Sequence, residues 1–177
     1  MKNKVSHQAE AMSHLALSAA GAQDGQWDLA IAAAEEGLRV WRTKRTCGDF
    51  ASRMLAAHAR ALLGAGATDR ACEASAEAIE VAQRHGQPVH QIEATLADAR
   101  CLRELRGDEA RAAIEPRLRE ASRLIDQTGA ERWRPHLRVE RAELHRLIGE
   151  SGAARHEFAE AHRLFAAMGA TGFLPTA

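Results

Sequence analysis

Apolar residues recur every three to four positions along this chain, and no segment alternates with the period of two that a half-buried strand requires. In the span 26–44, Trp27, Ala30, Ile31, Ala34, Leu38 and Trp41 fall on one helical face. In the span 151–168, Ala154, Phe158, Ala161, Phe165 and Met168 do the same. The pattern predicts eight helices, over 5–22, 26–44, 49–64, 68–85, 88–106, 108–128, 132–148 and 151–168. Punctuation agrees with it. Gly86, Gly129 and Gly169 stand where helices should stop, Pro88 and Pro135 near first turns, and Asp108 and Ser151 where N-caps are wanted.

The helices fall into a repeat. Gly25, Gly66, Gly107 and Gly149 are separated by 41, 41 and 42 positions, and each is followed five residues later by alanine: Ala30, Ala71, Ala112 and Ala154. Seven positions further come Gly37, Ala78 and Ala161. Small residues recurring at one place in a pair of helices mark where two backbones cross closely. Each unit therefore reads as a helical hairpin joined at its glycine, and stacked hairpins make an all-α solenoid. The third unit departs: its small residue is Ala121, nine positions after Ala112, with Pro116 between them. A proline-induced kink or bulge absorbing two residues is the expected reason.

Composition strengthens the helical reading and narrows the function. Aromatics make up 4% of the 177 residues and tyrosine is absent, while alanine, leucine, arginine and glutamate, the best helix formers, abound. A chain of this length is most simply one domain. The 24 basic residues balance 24 acidic ones, ten of each in 1–90 and fourteen of each in 91–177, so the basic excess of a nucleic-acid or membrane-surface protein is missing. No stretch approaches a membrane span, and Met1-Lys2-Asn3-Lys4 leads into a polar segment rather than a signal-peptide core. Cys47, Cys72 and Cys101, odd in number and widely spaced, read as free thiols in a reducing cytoplasm. Arginine outnumbers lysine 21 to 3, a composition of GC-rich bacterial genomes.

The segments Gly25–Gly37, Gly66–Ala78 and Gly149–Ala161 resemble the turn and second helix of tetratricopeptide repeats, with first-helix small positions at Ser18, Ala59, Ala99 and Ala142. The large aromatic usual three places later is replaced by Gly21, Leu62, Leu102 and His145, and the period exceeds the usual ~34 residues. Both features resemble the divergent repeats at the C-terminal ends of bacterial nucleotide-cyclase and LuxR-type ATPase regulators, as does the run Leu144–Gly149 followed by Ala161–Gly172. The resemblance implies one right-handed α-solenoid of about four antiparallel hairpins over 1–172 (units about 5–44, 49–85, 88–128 and 132–168), with 173–177 as a tail. It also implies that first helices line a concave face. That face would carry Met12, Leu15 and Ala19, then Arg53, Ala56, Arg60 and Leu63, then Glu93, Leu96, Arg100 and Arg103, and finally His136, Val139, Glu143 and Arg146. Such tails continue into a further helix, which Phe173-Leu174-Pro175 argues against here; an uncapped C-terminal edge able to pair with a second copy is then expected.

Candidate chemistry is thin by comparison. None of the nine histidines forms the i, i+4 pair of a helical zinc site, so no metal or other cofactor is expected, and His145 reads as a packing residue. Cys72, beside a crossing alanine, should be buried and inert. Glu140, Arg141 and Glu143 read as a solvated helix face. Trp27 and Trp41 read as core, and Trp133 as a staple between hairpins. No Walker-type phosphate loop is present. The chain thus reads as a non-enzymatic module with a protein or peptide partner. Arg60, Arg100 and Arg103 would clamp acidic groups, unless they pair with Glu93, Glu104 and Glu143 instead; self-association and small-molecule sensing are the alternatives.

Overall fold

The computed structural model describes residues 6–44 and 48–170. Cys47, the side chain of Asp108 and the segment 173–177 lie outside the described residues. Among the described residues there are eight α-helices and no strand. They are α1 (His7–Gln23), α2 (Trp27–Lys44), α3 (Gly48–Gly64), α4 (Thr68–Arg84), α5 (Pro88–Arg106), α6 (Arg111–Thr128), α7 (Arg134–Leu147) and α8 (Ser151–Ala167). Every predicted helix is present, with ends shifted by at most three residues and the fifth not shifted at all. None is long and apolar enough to cross a membrane.

The glycines explain the repeat. At Gly25, Gly66 and Gly149 the backbone turns with φ of 69°, 79° and 78°, a conformation that a Cβ would strain. One residue on, the amide reaches back five positions: Gln26 N–H to Gly21 O (2.8 Å), Ala67 N–H to Leu62 O (2.9 Å) and Glu150 N–H to His145 O (2.8 Å). This is a Schellman closure, and it reverses the chain into the next helix at the same angle each time. The N-termini of α1, α4, α6, α7 and α8 are made without side-chain caps. Ser151 is the first residue of α8 rather than its cap, a place held by Glu150. Pro88 opens α5 and Pro135 sits in the first turn of α7, where their missing N–H groups cost nothing.

The third hairpin requires a correction. A 3-10 helix, Gly107–Ala110, stands between α5 and α6, so the second helix starts four residues after its glycine rather than two. The extra pair of residues is therefore taken up in the turn and not at Pro116. That proline is exposed inside an unbroken α6. Ala112 is consequently exposed, and the buried place seven residues before Ala121 belongs to Ile114.

Helices α1 and α2, α3 and α4, α5 and α6, and α7 and α8 pair as hairpins, and each hairpin also packs on the next. First helices additionally touch along the row, α1 on α3, α3 on α5 and α5 on α7, which puts them on the inner side of the stack. Crossing points are the small residues. Ser18, Ala59, Ala99, Ala142, Ala30, Ala71 and Ala161 are all at most 1% exposed. At Gly21 an added Cβ would lie 3.2 Å from the Ala30 nitrogen, so α1 and α2 meet nearly backbone to backbone. Larger side chains fill the gaps between crossings: Met54 lies over Gly37, and Leu55, Leu62, Ile92, Ile114, Ile125 and Leu137 are fully buried. The apolar clusters run across hairpin boundaries, one joining α5, α6 and α7 and another joining α2, α3, α4 and α5.

Among the described residues the large exposed apolar side chains are Met12, Leu17 and Leu29 in the first hairpin, Leu105 near the end of α5 and Met168 directly after α8, beside the exposed Arg155, His156, His162 and Arg163 of that helix.

Close crossing makes a direct prediction on α4, where Ala78 is fully buried and Ala76 is exposed. Ala78→Leu should lower the unfolding free energy in urea by about 1–3 kcal/mol. Ala76→Leu should leave it within about 0.5 kcal/mol. Equal effects would mean that the helices do not cross there.

Candidate functional site

Along the inner row the helices diverge enough to leave a cavity of about 500 Å³. Its walls come from all four hairpins: Ala19, Ala22 and Gln23 on α1, Trp27 at the start of α2, Ala56, Arg60 and Leu63 on α3, Glu93, Leu96, Ala97, Arg100 and Cys101 on α5, and Trp133 and His136 at α7. A second cavity of about 380 Å³ adjoins it, sharing Glu93, Trp133 and His136 and adding Arg53, Arg132, Phe165, Met168 and Ala170. Small side chains make the floor and aromatic rings make the ends. Trp27 lies against Gly64, where a Cβ would come within 2.5 Å of the indole. At the other end His136 packs edge-on to Phe165 (5.0 Å between ring centres) and tilted against Trp133 (5.3 Å).

The charges in this groove are unevenly compensated. Glu140 on α7, its side chain 2% exposed, accepts from both the Nε and Nη2 of Arg100 on one carboxylate oxygen, and from Arg103 Nη1 (2.7 Å) on the other. Glu140 lies nearest Arg100 and holds its guanidinium firmly charged, above its ordinary range. Arg53 lies 3.6 Å from Glu93, whose carboxyl burial pushes above its ordinary value although Arg53 and Arg60 pull it down. Exposed Glu104 lies 3.4 Å from Arg103 at the rim, and Arg146 pairs with Glu143 at 2.7 Å. That leaves Arg60. It is half-buried, has no hydrogen-bond or ion-pair partner among the described residues, and burial depresses its pKa, with Glu93 only partly offsetting the cost.

Of the residues expected on the concave face, the main cavity gathers Ala19, Ala56, Arg60, Leu63, Glu93, Leu96, Arg100 and His136, and the adjoining one Arg53. Arg103, Glu143 and Arg146 are not in either wall. Arg100 and Arg103 are engaged, but by Glu140 rather than by Glu93 or Glu143. Glu140 itself corrects the reading of its segment as a solvated face, since it is buried between α5 and α7. Its i, i+4 spacing from His136 was the available signal. Trp27 and Trp133 were read as packing residues. Both do pack, and both also form groove walls.

Nucleophilic chemistry finds little support in this groove. Burial pushes the Cys101 thiol up to about 12 and also raises that of Cys72, which is half-buried rather than buried, so neither is poised as thiolate. Among the described residues no three His, Cys, Asp or Glu side chains are grouped to hold a metal ion. His145 bonds Glu150 at 2.7 Å and ties α7 to the cap of α8. The buried Trp133 indole N–H has no acceptor.

Two measurements test this electrostatic arrangement. Glu140→Gln should cost about 3 kcal/mol of stability, because it strands two arginines at a buried site. His136 is held below its usual pKa by burial first and by Arg100 second. As pH falls below 6.5, the unfolded chain therefore takes up this proton before the folded one, and the stability contributed above that pH is lost. The melting temperature should fall between about pH 7 and pH 5.5, and His136→Gln should flatten that slope. An unchanged slope would place His136 in water.

Comparison with family models, with curated proteins and with solved structures gave no match to this chain.

Proposed function

We propose that this protein is a tetratricopeptide-like interaction module, non-enzymatic and regulatory, that holds a segment of a partner protein in the groove of its first helices. The observation that carries the reading is the composition of that groove. Its walls are contributed by every hairpin, its floor is alanine and leucine, and its ends are aromatic. An elongated apolar channel bordered by arginines is suited to an extended or helical segment, whose side chains supply the apolar area and whose polar groups meet the rim. The inert thiols and the lack of a nucleophile beside a base weigh against a reaction in the same place.

Blocking the channel without disturbing the core tests the proposal. Ala97 is half-buried in the groove wall, and Ala32 is exposed on the opposite, second-helix side. Proteins that co-purify with the tagged wild-type chain should be lost with Ala97→Trp and kept with Ala32→Trp. A partner retained by both variants would remove the groove from the binding site.

A further inference from the structure

Arg60, Arg100 and Arg103 were expected to grip acidic groups together. The ion pairs change that arithmetic. Arg100 and Arg103 share the buried carboxylate of Glu140, Arg103 lying also 3.4 Å from Glu104, and Arg53 lies against Glu93. Of the two arginines in the wall of the main cavity, Arg60 is the one with no ion pair among the described residues, Glu93 only partly offsetting its charge. It sits between Ala56 and Leu63 on its own helix and across from Leu96 and Ala97. Building on the groove reading above, we infer that the occupant is a peptide segment carrying a single carboxylate flanked by apolar side chains, with the carboxylate seated on Arg60. A run of acidic residues would place its remaining carboxylates against apolar walls and beside Glu93 and Glu140, where desolvation and like charge oppose them. A wholly apolar segment would fill the walls but leave a half-buried guanidinium uncompensated. One carboxylate on a planar guanidinium satisfies both constraints, through a charge-assisted and geometrically defined pair. The burial that depresses the pKa of Arg60 is relieved by the same contact. A peptide also suits the wall better than a simple amphiphilic acid. Its successive side chains reach along walls that all four hairpins contribute.

The test uses an array of random heptapeptides with acetylated N-termini and amidated C-termini, so that every carboxylate is a side chain. The full chain is compared with Arg60→Gln and with Ala97→Trp. Peptides that the wild type selects over Ala97→Trp should carry one Asp or Glu between apolar residues. Exchanging that Glu for Gln should weaken binding by about tenfold or more in the wild type. In Arg60→Gln the same exchange should change binding less than about twofold, while the apolar preference persists. Arg60→Met, which keeps the stem, supplies the same comparison if the glutamine variant does not fold. Selected peptides that carry no acid or several acids, or an acid preference that survives loss of Arg60, would overturn this inference and leave the groove standing. No selection by the wild type over Ala97→Trp would overturn the groove, and this inference with it.

Discussion

A carboxylate taken out of water has to be met by cations, and the way Glu140 is met organises the inner face of this protein. Its two oxygens are divided between Arg100 and Arg103, one helical turn apart on α5. The pair of guanidiniums fixes the spacing between α5 and α7 more tightly than alanine contacts would, because each hydrogen bond is directional. Arg100 remains partly open to solvent at 38% side-chain exposure and reaches the cavity wall, while Arg103 at 14% and Glu140 at 2% lie behind it. Energetically such a cluster is poor as a source of stability compared with apolar packing of equal volume. Its consequence is geometric. It sets where α7 lies, and with it Trp133 and His136, which close the groove.

The rest of the packing follows a different rule, one of small volume. Where Ala30, Ala71 and Ala161 meet the preceding helix, the backbones approach closely and most of each contact is dispersion between main-chain and methyl atoms. Alanine loses no side-chain entropy on burial, so a core of this kind forms cheaply but tolerates little enlargement. The few large side chains are correspondingly specific. Met54 fits over Gly37 because no Cβ is there, and Trp27 lies on Gly64 for the same reason. Polar links between hairpins include exposed ion pairs such as Arg42–Glu77 and Arg70–Glu35, and a buried carboxylate: Asp98 receives Ser75 from α4 at 2.9 Å and Arg117 from α6 at 2.7 Å, and so binds three consecutive helices.

These two rules decide what could be read in advance. Helices and their turns were legible because they are local: a glycine in a left-handed turn and a small residue at a crossing announce themselves in the chain. The third hairpin misled because Ala112 repeats the spacing of Ala30 and Ala71, while the 3-10 turn that shifts the register has no marker beyond Asp108-Glu109. Glu140 misled for another reason. Charged residues alternating along α7 look the same whether one of them faces water or faces two arginines some 40 positions away. Partner choice among charges is a tertiary property, so the groove's position was legible and its charge balance was not.

That balance bears on why Arg60 is where it is. Local rules would favour either a partner for this guanidinium or an apolar residue in its place, as at Ala56 and Leu63 on the same face. Arg53, Arg100 and Arg103 have partners, and the carboxylates on α5 and α7 show that the fold can supply them. Leaving one cation half-buried and uncompensated costs stability in the unbound chain. On the proposed reading, the part of that cost that Glu93 does not offset is recovered when a carboxylate from outside completes the pair. The groove on that reading derives its affinity from apolar walls and its selectivity from the incompletely compensated Arg60 of the main cavity, which discriminates against segments with no acid and against segments with several.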